Sequence, residues 1–202
     1  YRVMNYCDSL YSFRRRVTRE VTVGVPGRGG VIIGGNHPVV VQSMLTAKTS
    51  DTENCVKQTL ELAAAGCQIV RLTAPTVKDA ENLRNIAERL RAAGCNVPLV
   101  ADIHFTPDAA MEAARWVEKV RINPGNFADS RSAASAAATE DEFRAALKRI
   151  EEKFLPLLEL CARLGRALRI GSNHGSLSQR IMNRYGDTPL GMVESALEYA
   201  RR

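Results

Sequence analysis

Residues 97–126 read VPLVADIHFTPDAAMEAARWVEKVRINPGN. VPLVADIHF (97–105) is a continuous apolar run of strand length. Thr106-Pro107 follows, an N-cap residue and a proline at the first helical position. An alanine-rich helix is expected from there to near Val117. KVRIN (119–123) then returns to strand character and stops at Pro124-Gly125. Two apolar strands joined by a helix cannot be a hairpin. They form a parallel pair whose crossover covers one face of a sheet.

The same unit repeats on both sides. PVVVQSM (38–44) reads as a strand, and Ser50-Asp51-Thr52-Glu53 as a capping box. The helix it opens places Val56, Leu60 and Ala63 on one face and stops at Gly66. QIVRLTAP (68–75) is the next strand, followed by a helix with Leu83, Ile86, Ala87 and Leu90 inward, ending at Gly94. ALRIGS (167–172) is the fifth strand. Thr188-Pro189 opens a last helix with Met192, Val193, Ala196, Leu197 and Ala200 inward. Residues 127–164 read as an insertion. SAASAAA (132–138) is low in complexity, Thr139-Glu140-Asp141-Glu142 is a capping box, and a long helix to about Leu164 is expected to bend at Pro156. At the amino end, residues 1–16 form a basic lead-in. Residues 17–33 form a hairpin around Pro26-Gly27-Arg28-Gly29-Gly30.

Strands alternating with helices define an α/β fold with a parallel sheet. An open doubly wound sheet and a (β/α)8 TIM-type barrel both satisfy that pattern. The first strand lacks a G-x-G-x-x-G turn, and polar residues end nearly every strand, which favours the barrel. About five βα units do not close eight strands. The expectation is an incomplete barrel over 17–202 whose remaining strands lie elsewhere.

Hydrophobic residues make up 45% of the 202, and charged residues 25%, as in a folded globular chain. The net charge of +6 raises the question of nucleic acid. The densest basic cluster, Arg14-Arg15-Arg16, is not interleaved with aromatics, so no nucleic-acid partner is expected. No apolar run reaches membrane length. The five cysteines, Cys7, Cys55, Cys67, Cys95 and Cys161, form no C-x-x-C pair and read as packed thiols.

The chemistry lies at the strand ends. Arg71, Arg121 and Arg169 each sit inside an apolar run. A buried charge needs a partner. One shared phosphate or diphosphate would serve all three, since guanidinium forks bind phosphate oxygens bidentately. Pairing with Asp102 in a structural network is the alternative. Gln42, Asp102, His104, Asn123, Ser172, Asn173 and His174 also fall near strand ends. Asp102 and His104 lie two apart on one strand and point the same way. No third residue makes them a metal site.

Taken as a set, IGGNHPVVVQSM, IVRLTAPT, VPLVADIHF, VRINPGN, RIGSNHGSLSQRIMNRYGDTP and GMVESALEYA resemble the amino-terminal barrel of the 4-hydroxy-3-methylbut-2-enyl diphosphate synthase family. The resemblance runs from about Thr18 to Arg202. The insertion and the lead-in are similar to the family's long, plant-like form.

The resemblance implies reductive ring opening of 2-C-methyl-D-erythritol 2,4-cyclodiphosphate, an isoprenoid-pathway step. It further implies a [4Fe-4S] cluster, ferredoxin or flavodoxin as electron donor, and a homodimer. It places the diphosphate on Arg71, Arg121, Arg169 and Asn173. Asp102, His104, Asn123, Ser172, His174 and Gln42 would stand near the substrate. The family's cluster ligands, three cysteines and a glutamate in a carboxyl-terminal domain, match nothing in this chain, and Leu45 replaces the threonine usual after QSM. The chain alone is expected to bind and not to turn over. A bacterial cytoplasm is the expected location, with a plastid as the alternative. Two other readings stay open: a pterin-transferase-like barrel enzyme acting on a phosphorylated substrate, and a non-catalytic anion-binding module.

Overall fold

The computed structural model describes residues 17–128 and 139–202. The lead-in at 1–16 and the stretch 132–138 fall outside the described residues. Strands β1 (Val21–Val23) and β2 (Val31–Ile33) form the antiparallel hairpin. Gly27 and Gly29, at φ 80° and 88°, supply the left-handed backbone its turn requires. Five parallel strands follow: β3 (Gln42–Met44), β4 (Ile69–Thr73), β5 (Leu99–Ile103), β6 (Lys119–Ile122) and β7 (Ala167–Ile170). Their order is β3-β4-β5-β6-β7, each beside its sequence neighbour. A doubly wound sheet reverses direction at a switch point. This sheet never does, so it is wound one way, as in a barrel.

Helices α1 (Thr52–Ala64), α2 (Val77–Ala92), α3 (Pro107–Ala113) and α5 (Glu140–Leu164) provide the crossovers, with the short α4 (Pro124–Phe127) directly after β6. They cover the outer face through Val70, Leu72, Leu99, Ala101, Ile103, Val120 and Ile122. A smaller cluster fills the inner face. Ile69, Val100 and Ala167 pack with Val23, and Val31, Ile33 and Val40 pack against them. The hairpin thus plugs the amino-terminal end of the sheet and leaves the carboxyl-terminal end for chemistry.

Several local expectations shift. Asp51 rather than Ser50 caps α1, its carboxylate accepting the Asn54 N–H at 3.1 Å. The buried face of α1 runs through Cys55 and Thr59, and Leu60 turns outward. Helix α3 stops at Ala113, four residues short of Val117. The strand expected at 38–44 pairs only from Gln42, and Val39 and Val41 are exposed, because β3 has a neighbour on one side alone. The capping box at Thr139 forms as expected, and α5 runs through Pro156 to Leu164.

Two further helices, α6 (Gln179–Tyr185) and α7 (Pro189–Ala200), end the chain. Sequence patterning puts Met192 and Val193 inward, but both are exposed; Ser195, Glu198 and Tyr199 are buried instead. Polar contacts decide the rotation of α7. Glu198 forms a buried two-point ion pair with Arg180 of α6, at 2.5 and 2.7 Å. Tyr199 donates to the Pro124 carbonyl at 3.2 Å and packs edge-on against Phe127 and Phe154. Removing Glu198 takes away the carboxylate that faces Arg180 in this buried pair. Glu198→Ala should therefore cost about 3 kcal/mol, since Arg180 keeps its place over the Phe143 ring. Urea unfolding checks this; an unchanged midpoint would show the pair contributes nothing.

Candidate anion-binding site

Strand register builds the site. Thr73, Asp102, Arg121 and Arg169 lie side by side across β4 to β7. One pleat closer to the hairpin, Met44, Arg71, Val100, Lys119 and Ala167 form a second row. Alternation along parallel strands turns both rows to the inner face.

Asp102 is the hub, at 1% exposure. Arg121 Nη1 donates to its Oδ1 at 2.7 Å, Arg71 Nη2 donates to its Oδ2, and His104 Nε2 lies 3.1 Å from Oδ2. Burial alone would raise the Asp102 pKa, but the hydrogen bonds from Arg71, Arg121 and His104 outweigh it and hold the carboxyl below its ordinary value. Arg121 is itself buried, and its Nη2 donates to the Gly171 carbonyl at 2.6 Å. A Cβ on Gly171 would stand 1.9 Å from Arg121 Nε, so only glycine leaves room for this fork.

The pairing of Arg71 and Arg121 with Asp102 does not exhaust the positive charge. Arg169 makes no ion pair among the described residues and is exposed. Lys119 is buried on the same face. Among the described residues, four cations on the inner strand positions face one carboxylate, an excess of three positive charges without counting His104. Partial burial and then the Arg71 and Arg121 charges lower the Arg169 pKa. Nε of Arg71, Nε of Arg121 and Oγ of Ser172 are buried with no hydrogen-bond partner among the described residues. Unsatisfied buried donors of this kind call for an acceptor.

The remaining candidates take different places. Asn123 is buried and fully engaged: its Nδ2 donates to Ser176 Oγ at 2.9 Å and its Oδ1 accepts the Gly125 N–H at 3.2 Å. It locks the turn after β6 to the turn after β7. Asn173 is exposed and caps the short 3-10 turn His174–Ser176, accepting the Gly175 N–H at 3.0 Å. His174 is exposed, with Nδ1 3.0 Å from Asp187 Oδ1. Gln42 opens β3 in register with Ile69, one row nearer the hairpin than Arg71 and two rows from Asp102. Lys119 was missed by sequence reading. Its i, i+2 spacing from Arg121 on one strand was the available signal.

Two of the described thiols, Cys55 and Cys161, do not suit a cluster. Desolvation first, then the Asp51 charge, pushes the Cys55 thiol up to about 11. Desolvation, opposed by Arg166, does the same for Cys161, also to about 11. Cluster ligands must be thiolates. Among the described residues no three His, Cys, Asp or Glu are grouped to hold a metal ion. No described helix is long and apolar enough to cross a membrane.

Fold and site together define a barrel-type α/β protein whose strand ends carry excess cationic charge suited to a phosphorylated ligand. Residues 18–202 match the GcpE TIM-barrel domain, and the chain belongs to that family. It is 61% identical over 197 residues to the 4-hydroxy-3-methylbut-2-en-1-yl diphosphate synthase (flavodoxin) of Akkermansia muciniphila, covering 98% of this chain and 33% of that protein. The Leptospira interrogans synthase of the same name is 57% identical, across 97% of this chain and 29% of the relative. The chloroplastic, ferredoxin-type synthase of Oryza sativa is 47% identical, across 97% and 26%. The chain thus spans about a quarter to a third of the length of these relatives.

Proposed function

We propose that these residues are the substrate-binding part of a 4-hydroxy-3-methylbut-2-en-1-yl diphosphate synthase. The substrate is 2-C-methyl-D-erythritol 2,4-cyclodiphosphate, which takes up two electrons and two protons and loses its hydroxyl as water. The excess of cations over carboxylate on the inner face carries this reading. A cyclic diphosphate supplies the missing negative charge and the acceptors that the buried guanidinium Nε–H groups lack.

Within the site, Asp102 holds Arg71 and Arg121 in their forked geometry before the ligand arrives, so little reorganisation is needed on binding. Arg169 is the open arm that meets the diphosphate first. Asn173 presents its turn beside it. Asn123 acts at one remove, by fixing that turn through Ser176. His104, hydrogen-bonded to Asp102, lies at the mouth where the carbon skeleton would sit.

In this reading a [4Fe-4S] cluster would supply the electrons, and its ligands would come from outside the described residues. Flavodoxin or ferredoxin, the donors in the relatives' names, would reduce it. The working enzyme is proposed as a homodimer, placed in a bacterial cytoplasm or in a plastid as its relatives are bacterial or chloroplastic.

Anaerobic purification of the full-length protein tests this. It should yield about four iron atoms per chain with sulfide-to-iron absorbance, and convert the cyclic diphosphate only when a reductant is present. Iron-free protein that processes another phosphorylated substrate without a reductant would point to a different barrel enzyme.

A further inference from the structure

Lys119 opens β6 and is 8% exposed. Its register neighbours Val100 and Ala167 belong to the inner cluster, whereas Val120 beside it belongs to the outer core. The side chain therefore shares the inner face with Arg121. Its ammonium has no hydrogen bond or ion pair among the described residues. Although the residue is mostly buried, its Nζ is not one of the buried polar atoms that lack a partner, so the ammonium reaches solvent at the inner face. Asp102 is the one carboxylate at the inner-facing strand positions described, and Arg71, Arg121 and His104 already occupy it.

Burial, then the charges of Arg169 and Arg71, lower the Lys119 pKa. Lys119 and Arg71 thus lie one row below Asp102, Arg169 lies diagonally above Lys119 in the Asp102 row, and of the three only Arg71 has a carboxylate partner among the described residues.

We infer that Lys119, together with Arg71 and Arg169, forms a deeper anion subsite that takes one phosphate group of a diphosphate while Arg121 and Arg169 hold the other. This rests on the diphosphate reading above. It adds a residue: Lys119 reaches the ligand from the hairpin side of the arginine row, next to the apolar cluster of Val100 and Ala167. Arg169, on the last strand of the sheet, lies diagonally above Lys119 and can reach both groups.

The test uses the full-length protein and inorganic diphosphate and monophosphate as probes. Calorimetric titration is compared for wild type, Lys119→Met and Arg169→Met, alongside thermal unfolding without ligand. Lys119→Met should weaken diphosphate binding at least tenfold and monophosphate binding far less. Its ligand-free melting temperature should hold, because the ammonium reaches solvent and pairs with no carboxylate among the described residues. Lys119→Arg should recover part of the lost affinity. An unchanged diphosphate affinity, with or without a lower melting temperature, would overturn the inference; with the lower melting temperature it would assign Lys119 to an ion pair with a carboxylate outside the described residues. The arginine variant separates this from the parent reading. Weakening in Arg169→Met alone removes Lys119 and keeps the diphosphate site, whereas no change in either variant removes both.

Discussion

Asp102→Asn should lower the stability of the protein by about 3–5 kcal/mol at neutral pH. The substitution keeps the shape but removes the charge that two guanidinium groups share. Arg121 would then stand buried without a counter-charge, and Arg71 would be half-released. The pH dependence has a definite sign. The folded-state pKa of Asp102 lies below its ordinary value, so its contribution is fully present above the unfolded pKa and is lost as pH falls through the folded one. In wild type that loss falls below about pH 4; in Asp102→Asn that part of the acid limb disappears. Urea unfolding at a series of pH values measures both effects. Added diphosphate should restore more stability to the variant than to wild type, because an anion replaces the missing carboxylate. Equal midpoints for the two proteins would mean that the Asp102 hub contributes nothing.

Gly171→Ala should reduce kcat/KM of the full-length enzyme about a hundredfold or more while costing about 1–3 kcal/mol of stability. The new methyl group would overlap Arg121 Nε, and that guanidinium is fixed on its other sides by Asp102 and the Gly171 carbonyl. It can yield only by leaving its forked position. The loss should fall on ligand binding as well as turnover, so calorimetry with diphosphate should show it without any redox partner. Near-normal affinity in this variant would mean that the position of Arg121 does not matter to the ligand.

The architecture was largely legible because its signals are local. Thr139-Glu142 and Thr188-Pro189 mark helix starts with side-chain caps, Thr106-Pro107 marks one through its proline without a side-chain cap bond, and the apolar runs at 68–75, 97–105 and 119–123 are unambiguous in length. The rotation of α7 was not legible. Its apolar residues suggest one buried face, but the Arg180–Glu198 pair and the Tyr199 bond to Pro124 select another, and both partners lie far away in sequence. Helix α6 was hidden inside a string read for its motif alone. The arginines stood out because a charge in an apolar strand is conspicuous. Lys119 did not, since a lysine at the start of a strand is ordinarily at the surface; only the register beside Val100 and Ala167 reveals that it is buried. The division of labour among the arginines also needed three dimensions. Two of them hold Asp102 and one stays open, although all three occupy equivalent-looking positions in sequence.

A phosphorus NMR titration of the full-length protein with 2-C-methyl-D-erythritol 2,4-cyclodiphosphate is the most direct measurement. Both phosphorus resonances should shift on binding to the oxidised protein without any reductant, and Arg169→Met should weaken the interaction at least tenfold while leaving the protein folded. Binding of equal strength in wild type and Arg169→Met, or no shift in either, would contradict a diphosphate site at these strand ends.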